Sequence, residues 1–95
     1  MKHITLIFSL VAALALATPG HAAGCYADYK AKQDNPLRLH YGVAQVSQCS
    51  AGAARDELAA RLAAEGWTLL NILSVFDESG LAERRQSAGQ NYLRF

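Results

Sequence analysis

The sequence predicts an α+β fold in which one helix packs on a small antiparallel sheet, with the order β-β-α-β-β and a single disulfide bond. Three patterns in the chain of 95 residues support this fold class. Residues 25–32 and 37–44 alternate between apolar and polar side chains, which is typical of strands with one buried face. Residues 53–65 are rich in Ala and Leu, which favours a helix. Residues 67–76 are apolar at both odd and even positions, as in a strand that is buried on both faces.

The N-terminal segment, residues 1–22, has the pattern of a cleaved signal peptide. Lys2 precedes an apolar run over residues 4–17, and Gly20-His21-Ala22 supplies small residues for cleavage. A run of about fourteen apolar residues is too short for a transmembrane helix, which needs roughly twenty. We therefore expect residues 23–95 to form a single small α+β domain that is periplasmic or secreted, with no membrane span.

The two alternating segments are predicted to form a β-hairpin, because residues 33–36 (Gln-Asp-Asn-Pro) supply turn chemistry between them. A register that pairs Lys32 with Arg38 makes the apolar faces of the two strands coincide. The same register places Tyr29 opposite Tyr41, as an aromatic cross-strand pair.

Cys25 and Cys49 are the two cysteines of the chain. In an oxidising compartment they are predicted to form a disulfide bond, which stabilises a small domain by roughly 3–4 kcal/mol on the chain-entropy account. The hairpin register leaves Cys49 too far from Cys25 for a bond, so the chain must bend after Val46. The alternative is acylation of Cys25, because residues 22–25 are similar to the end of a bacterial lipobox; that modification leaves Cys49 without a partner.

The predicted helix, residues 53–65, has Leu58 and Leu62 four positions apart, which marks its buried stripe. Gly66 is expected to end it.

The C-terminal third of the chain is expected to finish the sheet. Residues 67–76 are predicted to be its central strand, and the Asp-Glu-Ser-Gly sequence at 77–80 breaks that strand. Residues 81–90 are polar and without clear period, which indicates a connecting loop, and residues 91–95 are expected to form a closing strand.

Charge and motifs exclude several classes of function. Without Lys2, the nine basic residues of the whole chain become eight, equal to the eight acidic ones, and this balance argues against a nucleic-acid partner. There is no Gly-x-Ser-x-Gly sequence, and the cysteines lack Cys-x-x-Cys spacing. His40 is the one histidine after the leader, and no carboxylates are spaced to bind a metal with it. We therefore predict no enzyme activity, no cofactor and no metal site. An active site remains an alternative that requires a pocket joining His40, Tyr41 and Asp28.

The helix that ends in Glu65-Gly66-Trp67 and runs into an apolar strand, together with the terminal Tyr-Leu-Arg-Phe sequence at 92–95, resembles small bacterial domains of unknown function. Residues 25–32 and 36–42 are also similar to segments of uncharacterised exported proteins of proteobacteria. The resemblance covers most of residues 23–95. It implies the order of strands and helix given above and implies no activity.

A non-enzymatic binding or accessory module is the function that these observations favour. The hairpin register brings four basic side chains together as a candidate surface for an anion or a partner, although solvation alone also accounts for them: Lys30, Lys32, Arg38 and His40. A homodimer is possible if one face of the strand at 67–76 is uncovered. The alternative function is inhibition of an exported hydrolase, with the loop at 81–90 entering its active-site cleft.

Overall fold

The structure is a computed structural model that describes residues 24–95, so the predicted signal peptide lies outside the described residues. The described chain forms three strands, two α-helices and two short 3₁₀ turns. In chain order these elements are β1 (Cys25–Gln33), β2 (Arg38–Val46), α1 (Ala51–Ala64), β3 (Thr68–Phe76), a turn at Glu78–Gly80, α2 (Leu81–Ala88) and a turn at Gly89–Asn91.

The three strands form an antiparallel sheet in the order β2-β1-β3. The α+β class is confirmed, but the prediction that residues 67–76 form the central strand is wrong. β1 is the central strand, because it pairs with both β2 and β3. Both of its faces are covered: Ala27, Tyr29 and Ala31 pack under α1, while Tyr26 and Asp28 are buried on the opposite side. We call the side under α1 the inner face and the opposite side the outer face.

The hairpin between β1 and β2 is confirmed, but the predicted register is wrong by one residue. Gln33 pairs with Arg38, so the connecting turn is shorter than expected, and Tyr29 lies opposite Gly42 rather than Tyr41. Because side chains alternate along a strand, this shift turns every β2 side chain to the other face. Ala44 consequently joins the inner core, and Val43 packs on the outer face.

Helix α1 forms close to where the sequence predicts it. Ser50 caps its start, where the side-chain oxygen accepts a hydrogen bond from the Ala53 amide at 3.3 Å. Gly66, with φ of 84°, lets the chain leave the helix in the left-handed region. Leu58 and Leu62 are fully buried, as predicted.

The Cys25–Cys49 disulfide bond is confirmed, with the two Cα atoms 5.4 Å apart. The chain bends after Val46, as the cross-link requires. Both oxygens of the Glu57 carboxylate hold this bend against α1, accepting hydrogen bonds from the Ser47 amide at 2.9 Å and the Ser47 hydroxyl at 3.2 Å.

The two predictions for the C-terminal residues are wrong. Residues 81–90 were expected to be a loop, whereas α2 occupies Leu81–Ala88 and packs on the outer face. Ala88 is the one buried residue of this helix. The sequence therefore lacks the apolar stripe, repeating every three to four residues, that would have predicted a helix. Residues 91–95 form no closing strand; Tyr92 makes an isolated bridge to Val43 at the free edge of β2. The order is therefore β-β-α-β-α.

Gly42 sets the hairpin register, because a Cβ atom at this buried position would overlap the ring of Tyr29. We expect Gly42→Ala to lower the free energy of unfolding by roughly 1–3 kcal/mol. The matched control is Gly52→Ala in α1, where a Cβ atom meets nothing within 4 Å and should stabilise the helix by about 0.5–1 kcal/mol. Urea denaturation of both variants measures the difference, and equal stabilities would contradict this account of the register.

Candidate binding surface

Helix α2 covers only part of the outer face of the sheet. It packs with Tyr26 and Val43 near the disulfide-bonded end of the hairpin. Towards the hairpin turn the outer face is open and forms a shallow groove of about 220 Å³. The groove is lined by Lys30, Ala31, Leu39, His40, Tyr41 and Leu70.

Exposed leucines are the main apolar feature of this region. Leu39 is 67% exposed and Leu70 is 49% exposed in the wall of the groove, and Leu37 in the adjoining turn is 64% exposed. Leu73, also on β3, is 45% exposed. Isolated exposed leucines are common, but large apolar side chains grouped around a concave surface mark a binding site.

The exposure of Leu70 and Leu73 has a backbone cause. Asp28 and Tyr29 of β1 pair with Ser74 and Ile72, so Leu73 has no partner residue on β1. A second shift, between Lys30 and Ala31, leaves out Leu70 in the same way. Each leucine is therefore the extra residue of a β-bulge, a device that redirects a side chain and breaks the regular strand edge.

Two lysines border the apolar side chains. Lys32 lies opposite Leu39 in the hairpin and forms a salt bridge to Asp34 at 3.3 Å. Lys30 lies opposite Tyr41, is exposed, and makes no salt bridge with another residue of the described chain. The groove therefore combines an apolar wall with an ammonium group that is available to a ligand.

A buried carboxylate lies behind the groove. Asp28 is 7% exposed, and its two oxygens accept three hydrogen bonds: from the Tyr41 hydroxyl at 2.8 Å, the Ser74 hydroxyl at 2.6 Å and Nε of Arg84 at 3.0 Å. The donors come from β2, β3 and α2, so one side chain of β1 ties together all the elements of the outer layer. The bond to Tyr41 also fixes the orientation of a phenol that lines the groove.

Ionisation follows from these contacts. Burial disfavours the charged form of Asp28, but the hydrogen bonds from Ser74, Tyr41 and Arg84 outweigh it and hold the pKa of the carboxyl below its ordinary value. Burial, together with the bond to Asp28, raises the pKa of Tyr41 to about 12. The pair is therefore an ionised acceptor and a neutral donor at physiological pH, which is an arrangement suited to holding structure.

Arg84 has four contacts. Besides Asp28, it donates to the Gly80 carbonyl oxygen at 2.7 Å and to Glu83 at 2.9 Å, and its guanidinium lies 4.0 Å from the centre of the Phe76 ring. From the sequence, Arg84 was one of two arginines in a polar segment without period. The signal that points to it is Asp28 itself, an acid in a strand that proves to be central and that needs a cationic partner when buried.

The four basic residues predicted to share one surface are divided between the two faces. Lys30 and Lys32 lie on the outer face. His40 pairs with Ala31 and Arg38 pairs with Gln33, so these two residues belong to the inner-facing positions of β2. The grouping is wrong because it rested on the register that is off by one residue. Anion binding by these side chains stays a prediction; Lys30 and His40 are the two that line the groove.

His40 borders the groove, but its ring packs among inner-face aromatic side chains. Its Nε2 atom lies 2.9 Å from the Tyr29 hydroxyl, the Trp67 ring contacts it edge-on at 4.3 Å between centres, and the Phe95 ring stacks on it at 5.5 Å. Nδ1 of His40 is buried without a hydrogen-bond partner among the described residues. Burial, with the positive charge of Arg94, lowers the pKa of this histidine, so the ring is neutral at pH 7.

The active-site alternative requires His40, Tyr41 and Asp28 in one pocket. Tyr41 and His40 both line the groove, and Tyr41 is bonded to Asp28, but Asp28 is not part of the groove lining and the His40 ring packs with the inner-face residue Tyr29. Within residues 24–95, no three His, Cys, Asp or Glu side chains are grouped as metal ligands.

The Asp28–Arg84 pair can be tested by a double-mutant cycle of Asp28→Asn, Arg84→Met and the combined variant. Arg84→Met is expected to cost about 2–4 kcal/mol of unfolding free energy, because it leaves the Asp28 carboxylate buried without its cationic partner. Asp28→Asn should cost less, about 1–2 kcal/mol, because Arg84 is partly exposed and keeps its contact with Glu83. The double variant should cost less than the sum, with a coupling of about 1–3 kcal/mol in urea denaturation. Glu83→Gln removes the other, 73% exposed carboxylate that contacts Arg84 and should change stability by less than about 1 kcal/mol. Strict additivity of the cycle would contradict the role given to the pair.

The neutral state of His40 predicts a pH dependence of stability. Its folded pKa is below the unfolded value of 6.5, so the unfolded chain binds the proton more readily, and this contribution to stability is lost as the pH falls below 6.5. Between about pH 7.5 and pH 5 the free energy of unfolding should fall more steeply for the native chain than for His40→Gln. The slopes are compared by urea denaturation, and identical slopes would show that His40 titrates alike in both states.

No helix within residues 24–95 is long and apolar enough to cross a membrane. The resemblance to small exported proteobacterial proteins stays a prediction. Searches of protein-family models, curated proteins and solved structures find no match for this chain.

Proposed function

We propose that this chain is a non-enzymatic binding module of the cell envelope, periplasmic or secreted, which binds a protein segment in the groove on its outer face. The observation that carries the proposal is the pair of exposed leucines in the groove wall, Leu39 and Leu70, the second of which is the extra residue of a β-bulge. A bulge interrupts regular pairing, so β3 gives up sheet hydrogen bonding at the point where Leu70 lines the groove.

The chemistry of the groove selects the ligand. Leu39 and Leu70 offer apolar contact area, and Lys30 at the rim offers a positive charge that forms no salt bridge within residues 24–95. The complementary partner is a protein segment that presents apolar side chains next to a carboxylate. The phenol of Tyr41, held by Asp28, gives the groove a rigid polar wall.

The disulfide bond supports the location, since such bonds persist in oxidising compartments. The inhibitor alternative depended on a free loop at 81–90. Those residues form α2 and the turn that follows, and α2 is fastened to the sheet by Arg84, so that route to a hydrolase cleft is not proposed.

In-cell photo-crosslinking tests the proposal. A benzophenone amino acid at position 39 or 70 should give a specific adduct with another protein, because both positions lie in the groove wall. The same amino acid at the exposed position 60 of α1 is the control and should give none. Lys30→Glu should reduce the adduct several-fold by repelling the partner carboxylate, whereas Arg55→Glu on α1 should not.

Three results would contradict the proposal. The first is the absence of any adduct from positions 39 and 70, and the second is an equal yield from position 60. The third is an adduct formed solely with a second copy of this chain, which would instead assign the groove to the homodimer that the sequence allowed. The mass of the adduct and light scattering of the purified protein distinguish this last case.

A further inference from the structure

A second concave surface lies at the C-terminal end of α1 and shares no residue with the groove. Its volume is about 360 Å³, within the range typical of small-molecule sites. It is lined by Arg61, Ala64, Glu65, Arg94 and Phe95. Phe95 packs against the inner core, so one wall of this cleft is anchored to the body of the domain.

The cleft contains opposite charges that do not pair with each other. Arg61 is partly compensated, since its Nη2 atom donates to the Gln45 carbonyl oxygen at 2.6 Å and lies 3.8 Å from Glu57. Arg94 and Glu65 form no salt bridge, either together or with another residue in the described part of the chain. A cation and an anion thus line the same cleft with space between them.

The end of the helix favours a cation on the Glu65 side. The C-terminal end of a helix carries a partial negative charge, which adds to the carboxylate of Glu65. The guanidinium groups of Arg61 and Arg94 give the same cleft its anion-binding chemistry. Ala64 and the ring of Phe95 add apolar surface to its lining.

We propose that this cleft binds a zwitterion with an apolar side chain, namely a free hydrophobic amino acid or a dipeptide. The ammonium group of the ligand contacts Glu65, the carboxylate contacts Arg94 and Arg61, and the side chain packs on Phe95 and Ala64. A simple anion is the poorer match, because Glu65 and the helix end repel it. This cleft shares no lining residue with the protein-binding groove, and the proposal for the cleft does not depend on the function proposed for the groove.

Titration calorimetry with L-phenylalanine and two analogues tests this assignment. N-acetyl-L-phenylalanine lacks the ammonium group and L-phenylalaninamide lacks the carboxylate. Each analogue should bind about tenfold or more weakly than L-phenylalanine, because each leaves a charged side chain without its partner. Equal binding of either analogue, or no binding of L-phenylalanine, would overturn the proposal.

Two variants test which residue contacts the ammonium group of the ligand and which contacts its carboxylate. Glu65→Gln should lower the affinity for L-phenylalanine to that of the acetylated analogue and leave the affinity for the analogue unchanged. Arg94→Gln should lower the affinity for L-phenylalanine to that of L-phenylalaninamide and leave the affinity for the amide unchanged. Both side chains are exposed, so these variants should fold, which circular dichroism verifies.

Arg55→Gln on α1 and Leu39→Gln in the groove are the controls and should leave the affinity unchanged. Loss of binding in Leu39→Gln would place the ligand in the groove and overturn the proposal for the cleft. The dipeptide Leu-Phe then gives the size of the ligand, since tighter binding than L-phenylalanine favours a peptide and weaker binding favours the free amino acid.

Discussion

The outer half of the structure depends on one buried carboxylate. Asp28 lies in the central strand, where a charged side chain is costly unless its oxygens are fully hydrogen-bonded. The three donors that satisfy it come from the two flanking strands and from α2. The carboxylate therefore links β2, β3 and α2 to β1, in addition to the backbone pairing of the strands, although it forms no part of the hydrophobic core.

This arrangement explains how α2 is held with so little apolar contact. Ala88 is its one fully buried residue, and Leu81 is partly buried. Arg84 compensates for the small apolar contact area of the helix: it forms hydrogen bonds to Asp28 and the Gly80 carbonyl oxygen and lies over the Phe76 ring. The helix packs near the disulfide-bonded end of the hairpin, and the end of the outer face towards the hairpin turn is open as the groove.

The elements with a local signal could be predicted from the sequence, and those fixed by long-range packing could not. The alternation in β1 and β2, the Leu58 and Leu62 stripe and the cysteine pair each follow from neighbouring residues or from composition. The register depended on Tyr29 crossing Gly42, a contact between strands that leaves no trace in either segment alone. The position of β1 at the centre follows from its pairing with β3, and the partner of its buried Asp28 is Arg84, 56 residues away.

The candidate sites show the same limit. The basic residues of the hairpin were visible in the sequence, but a shift of one residue separated Arg38 and His40 from Lys30 and Lys32. The bulges that expose Leu70 and Leu73 were hidden, because an unbroken apolar run indicates burial rather than display. Arg94 and Glu65 reach a common cleft only because the last residues cross from the outer face at Tyr92 to the inner face at Phe95.

The disulfide bond joins residues 24 positions apart, so the covalent ring encloses β1, β2 and their turn, and leaves α1, β3 and α2 outside it. Loop closure restricts the conformations of the unfolded chain only within the ring. The hairpin segment therefore has less conformational freedom to lose on folding, whereas the C-terminal half is ordered entirely by noncovalent contacts. The entropic benefit of oxidation is thus confined to the hairpin half of the described chain.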